Sequence, residues 1–203
     1  NYGMMLLYGD GIPIDKEKAS YYFKKSADNG YELSIYQYGL NLYYGDGVPV
    51  NKEEAIKYYK MAINEGDSIY MNNYANMLYK GDGVPVNKIE AIKYYKMDID
   101  EGNPDSMFNY ASILDTGDGV PVNKEEAIKY FKMAADGGNK DAMFNYANMI
   151  DKSKSDTVDK KEAIKYYKMA IEKGNSKAMV NYAIMMNSDD GIPANKEEAI
   201  KYY

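Results

Sequence analysis

The chain has 203 residues, 45% hydrophobic and 28% charged, enough apolar content to bury a core and enough charge to keep the surface hydrated. Its 25 basic residues, all lysine, are outnumbered by 31 acidic ones, and the net charge of −6 leaves no excess of cation for nucleic acid. Cysteine and histidine are both absent, which removes disulfides, thiolate nucleophiles, the usual catalytic triad and most transition-metal sites. No cofactor or metal is expected. No run approaches the ~20 apolar residues of a membrane-spanning helix. The lack of cysteine points to a reducing, cytoplasmic compartment. The pattern described below is already under way at Asn1 and is cut at Tyr203, so the sequence is expected to be a segment of a longer chain.

In chain order, a first helix is expected to end at Gly9-Asp10-Gly11, and the same turn recurs at Gly45-Asp46-Gly47, Gly81-Asp82-Gly83 and Gly117-Asp118-Gly119. Glu-Ala-Ile-Lys-Tyr, beginning at Glu54, Glu90, Glu126, Glu162 and Glu198, keeps the same 36-residue spacing to the end. Fixed self-similarity of this length indicates stacked supersecondary units. The reading is one domain over residues 1–203, with about five and a half helix-turn-helix repeats.

The second helix of each unit is expected to start at Asp15, Asn51, Asn87, Asn123, Asp159 and Asn195, whose side-chain oxygens can accept free backbone N–H groups. Three residues later stand Glu54, Glu90, Glu126, Glu162 and Glu198, placed to reach back to the cap residue's own N–H; Lys18 is the exception. Ala55, Tyr58, Tyr59 and Ala62 follow at i, i+3, i+4 and i+7 and define an inward face. Gly30, Gly66, Gly102, Gly138 and Gly174 are expected to end these helices. The other helix spans roughly 34–44, with Ile35, Tyr38, Gly39 and Leu42 inward and Pro49 preventing its continuation.

These residues resemble the Sel-one-like repeat family, short relatives of tetratricopeptide repeats. Its pattern runs Ala, Leu-Gly, Tyr, Gly-x-Gly-Val, Asp, Lys-Ala, Tyr-Tyr, Ala-Ala, Gly. The resemblance spans nearly the whole chain and is clearest over residues 117–174. It departs where Tyr74-Ala75, Tyr110-Ala111, Tyr146-Ala147 and Tyr182-Ala183 replace Leu-Gly, and where Ser153, Ser155 and Asp189 replace turn glycines. The resemblance implies an all-α fold: a right-handed superhelical solenoid of antiparallel helix pairs. It also implies an adaptor's role, without naming the partner.

In related solenoids the first-helix surface lines the concave side. Here that surface carries an amide ladder, Gln37, Asn73, Asn109, Asn145 and Asn181, whose paired donor and acceptor can grip an extended peptide. The competing reading is repeat-to-repeat hydrogen bonding. Beside it run Tyr36, Asn72, Phe108, Phe144 and Val180, of which Phe108 and Phe144 are the expected aromatic anchors, unless buried against the next repeat. Gly-Asp-Gly reads as a helix-terminating turn, because it lacks the rest of a phosphate-binding or calcium-binding loop. Lys57, Lys93, Lys129, Lys165 and Lys201 read as a solvated outer face, with Glu53, Glu125 and Glu197 four residues earlier for ion pairing. Asp98 is anomalous, standing where Ala62, Ala134 and Ala170 face inward. The expected function is a non-catalytic protein-interaction scaffold whose partners are other proteins or an extended peptide. The alternative is a bridging component of a large cytoskeletal or ciliary assembly. An enzyme ranks last.

Overall fold

The computed structural model describes residues 2–64, 70–152, 157–187 and 195–200. Gly66, Ser153, Ser155, Asp189, Lys201 and the side chain of Glu198 lie outside the described residues. Two compact units divide the chain, residues 1–101 and 102–203. Unit 1 contains α1 (Tyr2–Tyr8), α2 (Lys16–Ala27), α3 (Glu32–Tyr44), α4 (Lys52–Asn64), α5 (Met71–Lys80) and α6 (Lys88–Asp100). Unit 2 contains α7 (Pro104–Thr116), α8 (Lys124–Asp136), α9 (Lys140–Lys152), α10 (Thr157–Glu172), α11 (Ser176–Asn187) and α12 (Lys196–Ile200). No strand occurs among the described residues, and none of their helices is long and apolar enough to cross a membrane.

The expected inward faces are buried. Ile35, Tyr38, Gly39 and Leu42 of α3 meet Ala55, Tyr58, Tyr59 and Ala62 of α4. Ala19, Ala55, Ala91, Ala127 and Ala163, the same position of successive second helices, are all fully buried, where a larger side chain would hold the paired helices apart. Four pairs, α3–α4 to α9–α10, are each locked by one tyrosine set edge-on to another: Tyr38–Tyr58, Tyr74–Tyr94, Tyr110–Tyr130 and Tyr146–Tyr166, with ring centroids 4.8–5.1 Å apart. Such a pair contributes ~0.5–1.5 kcal/mol beyond its buried area. Eleven of the 22 described tyrosines are buried.

The caps form at the expected residues, with one difference in wiring. Asn51, Asn87 and Asn123 each accept the backbone N–H of the Glu three residues on, at 3.1 Å. That Glu does not return to the cap's backbone N–H, which donates instead to Leu42, Leu78 or Leu114 of the preceding helix. The carboxylate accepts from the cap's side-chain amide, at 2.9–3.1 Å. Asp15 caps by accepting from Lys18 N–H at 2.9 Å, and has no amide to offer a carboxylate. Asp159 is not an N-cap: α10 starts two residues earlier, at Thr157, and Glu162 is drawn to the neighbouring repeat instead.

Gly45, Gly81 and Gly117 end the first helices in the left-handed conformation, at φ of 73–78°, and the equivalent Gly9 shares it. The aspartate that follows does more than shape a turn. Asp46 pairs with Lys16 at 2.8 Å and Asp82 with Lys52 at 2.5 Å, each lysine belonging to the preceding repeat's second helix. Asp82 also accepts from the Tyr43 hydroxyl at 2.5 Å.

Candidate functional site

The first-helix face lies beside the core, because residues at 36, 37, 72 and 73 are rotated by one or two helical steps from the buried 35, 38, 71 and 74. Tyr36, Gln37, Asn72, Asn73, Phe108, Asn109, Phe144, Asn145 and Asn181 are all half-buried, and Val180 is 49% exposed. Phe108 and Phe144 fit neither extreme of the sequence reading. Each leans on the second helix of its own repeat, Phe108 with its centroid 5.9 Å from that of Phe131 and Phe144 with its centroid 6.3 Å from that of Tyr167. Tyr36 instead reaches the next repeat, 5.0 Å from Tyr70.

The amide ladder divides by use. The side chain of Asn181 donates to Asn148 at 3.1 Å, a bond between repeats. Gln37 makes a long 3.4 Å contact to Asn41 within its own helix. Asn73 and Asn145 make no side-chain hydrogen bond among the described residues, so their amides keep donor and acceptor for a partner.

A second set of residues, missed in the sequence, stitches repeats together. Lys132 of α8 donates to Glu162 and to the Tyr166 hydroxyl of α10, both at 2.9 Å, while Tyr146 of α9 donates to the same Glu162 at 3.1 Å. Tyr166 in turn donates to Asp136 at 2.5 Å. Lys24, Lys60, Lys132 and Lys168 each lie 5.1–5.6 Å above a tyrosine ring of the following repeat, Tyr38, Tyr74, Tyr146 and Tyr182. The signal was available: these lysines share the 36-residue period, three residues after the outer ladder. Lys57, Lys93 and Lys129 of that outer ladder are exposed as expected, but Lys57 and Lys129 form no ion pair with Glu53 and Glu125 four residues earlier. Asn139 and Asn175 cap α9 and α11, accepting from Ala142 and Ala178 N–H, and donate to Asp105 and Asp141 of the preceding repeat. Asp98 is buried at 1% exposure, the inward placement its register demands.

The pKa values of the stitching groups are displaced further from neutral pH, so each keeps its usual protonation state. The hydrogen bond to Asp82 and burial push Tyr43 up to about 12, while the Lys52 and Tyr43 donors hold Asp82 below its ordinary value. Hydrogen bonds to Tyr166 and Glu162 raise Lys132, and burial followed by the bond to Glu162 pushes Tyr146 up to about 12. Groups fixed in one protonation state are good fasteners and poor proton shuttles.

The Sel1 repeat model matches residues 1–31, 33–67, 68–103, 104–139, 140–175 and 176–203. The chain belongs to the Sel1 repeat family. Among solved structures it is similar to a protective antigen of uropathogenic Escherichia coli displaying an SLR fold. That likeness has 23% identity and a TM-score of 0.92, over 99% of this chain and 43% of the antigen. It is also similar to a Sel1 repeat protein from Oxalobacter formigenes, at 24% identity and a TM-score of 0.88, over 99% of this chain and 82% of that one. A looser likeness joins it to an immunity protein of Pseudomonas aeruginosa, at 15% identity and a TM-score of 0.57, covering 92% and 71%. The chain thus spans less than half of the antigen's length. No curated protein matches it. These likenesses establish the all-helical Sel1 fold of paired helices. Within that frame Gly39 is the Leu-Gly glycine of the family pattern, and later repeats carry alanine at its position.

Proposed function

We propose that the chain is a non-catalytic scaffold that holds a partner protein or extended peptide along the first-helix face of its Sel1 repeats, in a reducing intracellular compartment. The observation that carries this reading is the division of labour around the repeats. Lysines, aspartates and tyrosines on the second helices and turns are spent on binding repeat to repeat, whereas Asn73 and Asn145 keep unbonded amides on half-buried positions. Among the described residues no group of three or more acidic side chains is placed to hold a metal. The unbonded Asn145 amide beside the half-buried Phe144 suits an extended backbone, which needs both donors and acceptors along its length.

The test is affinity capture from the source cell with the unaltered chain and with an Asn73→Ala/Asn145→Ala variant, whose folds are matched by circular dichroism. These substitutions break no bond within the chain, so loss of a captured protein would report on the face itself. Retention by this variant, together with loss on Lys57→Glu/Lys93→Glu/Lys129→Glu, would overturn the reading. It would favour a bridging component that engages the outer face.

A further inference from the structure

Tyr59, Tyr95, Phe131 and Tyr167 occupy one position of successive second helices, and all four are buried. A buried phenol normally finds a hydrogen-bond partner, because leaving it without one forfeits its hydration. Tyr95 donates to Asn76 at 2.9 Å, nineteen residues earlier in the chain. The residue nineteen before Tyr59 is Leu40, which has no acceptor to offer. Among the described residues the Tyr59 hydroxyl accordingly has no hydrogen-bond partner, though the residue is only 1% exposed. Tyr167 shares that lack, but its hydroxyl is sealed from solvent. Phe131 shows that the position tolerates a ring without the oxygen.

Tyr59 differs from Tyr167 because it borders a cleft of about 160 Å³ between α3, α4 and α5. Asn73 and Lys80 also border it. Asn73 has an unbonded amide, and Lys80 is exposed and forms no ion pair among the described residues. The neighbouring groups are engaged elsewhere: Asn76 donates to Asn72 at 2.7 Å and Tyr43 donates to Asp82. No carboxylate is among the residues that border the cleft. An unpartnered hydroxyl, an unbonded amide and an ammonium thus border one small space that no carboxylate lines.

We infer that the cleft bordered by Tyr59, Asn73 and Lys80 is a subsite for an acidic side chain, Asp or Glu, of an extended partner segment. A carboxylate supplies the acceptors that the hydroxyl, the amide and the ammonium lack. The volume suits one side chain better than a chain end, which brings its own side chain along with its carboxylate. The inference rests on the scaffold reading and specifies the chemistry at one point of the same face.

The test uses N-acetylated, C-amidated Gly/Ser nonapeptides with one central Glu or Gln, and a third with Gln and a free C-terminal carboxylate. Binding is read from the NMR resonance of the Asn73 side-chain amide. The Glu peptide is expected to shift it saturably, with the Gln peptide at least about fivefold weaker. Tyr59→Phe, which installs the ring that Phe131 already carries at this position, is expected to melt no lower than the parent yet bind the Glu peptide about fivefold more weakly. Leu40→Asn, which recreates the Tyr95–Asn76 bond, is expected to weaken binding similarly. Equal binding by parent and Tyr59→Phe would overturn the inference, as would no shift at Asn73 or tighter binding of the free-carboxylate peptide. None of these failures touches the scaffold reading, whose capture experiment scores partners whatever their chemistry.

Discussion

Gly39 sits inside α3, and what it provides is space: a Cβ there would stand 2.8 Å from Cε1 of Tyr59. Helical glycine ordinarily costs up to about 1 kcal/mol relative to alanine. Here the ring blocks that gain, since overpacking a tight core costs about 1–3 kcal/mol. Gly39→Ala is therefore expected to lower the melting temperature followed by circular dichroism; a rise would show that the Tyr59 ring gives way freely. Asp82 carries a second residue-scale prediction. Its pKa is depressed by the Lys52 and Tyr43 donors, so its contribution is complete above the ordinary carboxylate value of about 4 and is lost as pH falls through its lower folded value. Asp82→Asn should flatten the acid limb of a stability-versus-pH curve without changing its shape between pH 6 and 8. Tyr43 acts with the opposite sign. Its raised pKa keeps its contribution intact below the ordinary phenol value of about 10, and the contribution is lost as pH climbs through about 12.

Helix starts show how a motif can be read correctly in position and wrongly in wiring. Asn87 accepts from Glu90 N–H and donates its amide to the Glu90 carboxylate, while its own backbone N–H is taken by Leu78. The amide is what makes asparagine, and not aspartate, the matching cap wherever glutamate follows. Asp15, the aspartate cap, is followed by Lys18, so no carboxylate faces it there. Asn87→Ala should cost about 1 kcal/mol in urea denaturation. Asn87→Asp should cost less at pH 3 than at pH 7, because it keeps the acceptor but sets two carboxylates against each other when both are ionised. Equal losses at the two pH values would mean that the amide–carboxylate bond contributes nothing.

At the scale of the molecule, the 36-residue period made the helix pairs, their buried faces and their glycine stops legible, since each depends on residue spacing along one helix. What was not legible depends on neighbours a whole repeat away: Asp82 on Lys52, Lys132 on Glu162, Asn175 on Asp141. Leu40 in place of an asparagine was visible, but its meaning needed Tyr59 and the cleft. Contacts of this kind also decide how damage spreads in a stack held by nearest neighbours. Gly11 and Gly47 are the third residues of equivalent turns, at φ of 72° and 75°. A Cβ on Gly11 meets nothing, whereas one on Gly47 would overlap the backbone carbonyl of Lys16 in the preceding repeat. Gly11→Ala should therefore cost only the left-handed strain, about 1–2 kcal/mol. Gly47→Ala should cost a further ~1–3 kcal/mol, because backbone must move. Hydrogen exchange should place that extra loss in α1 to α4, with the amides of α10 and α11 keeping their protection. If the two variants lost protection equally, the Gly47–Lys16 approach would be one the turn can relax away, and the seam between these repeats would rest on its other contacts, the Lys16–Asp46 ion pair and Lys24 over the Tyr38 ring among them.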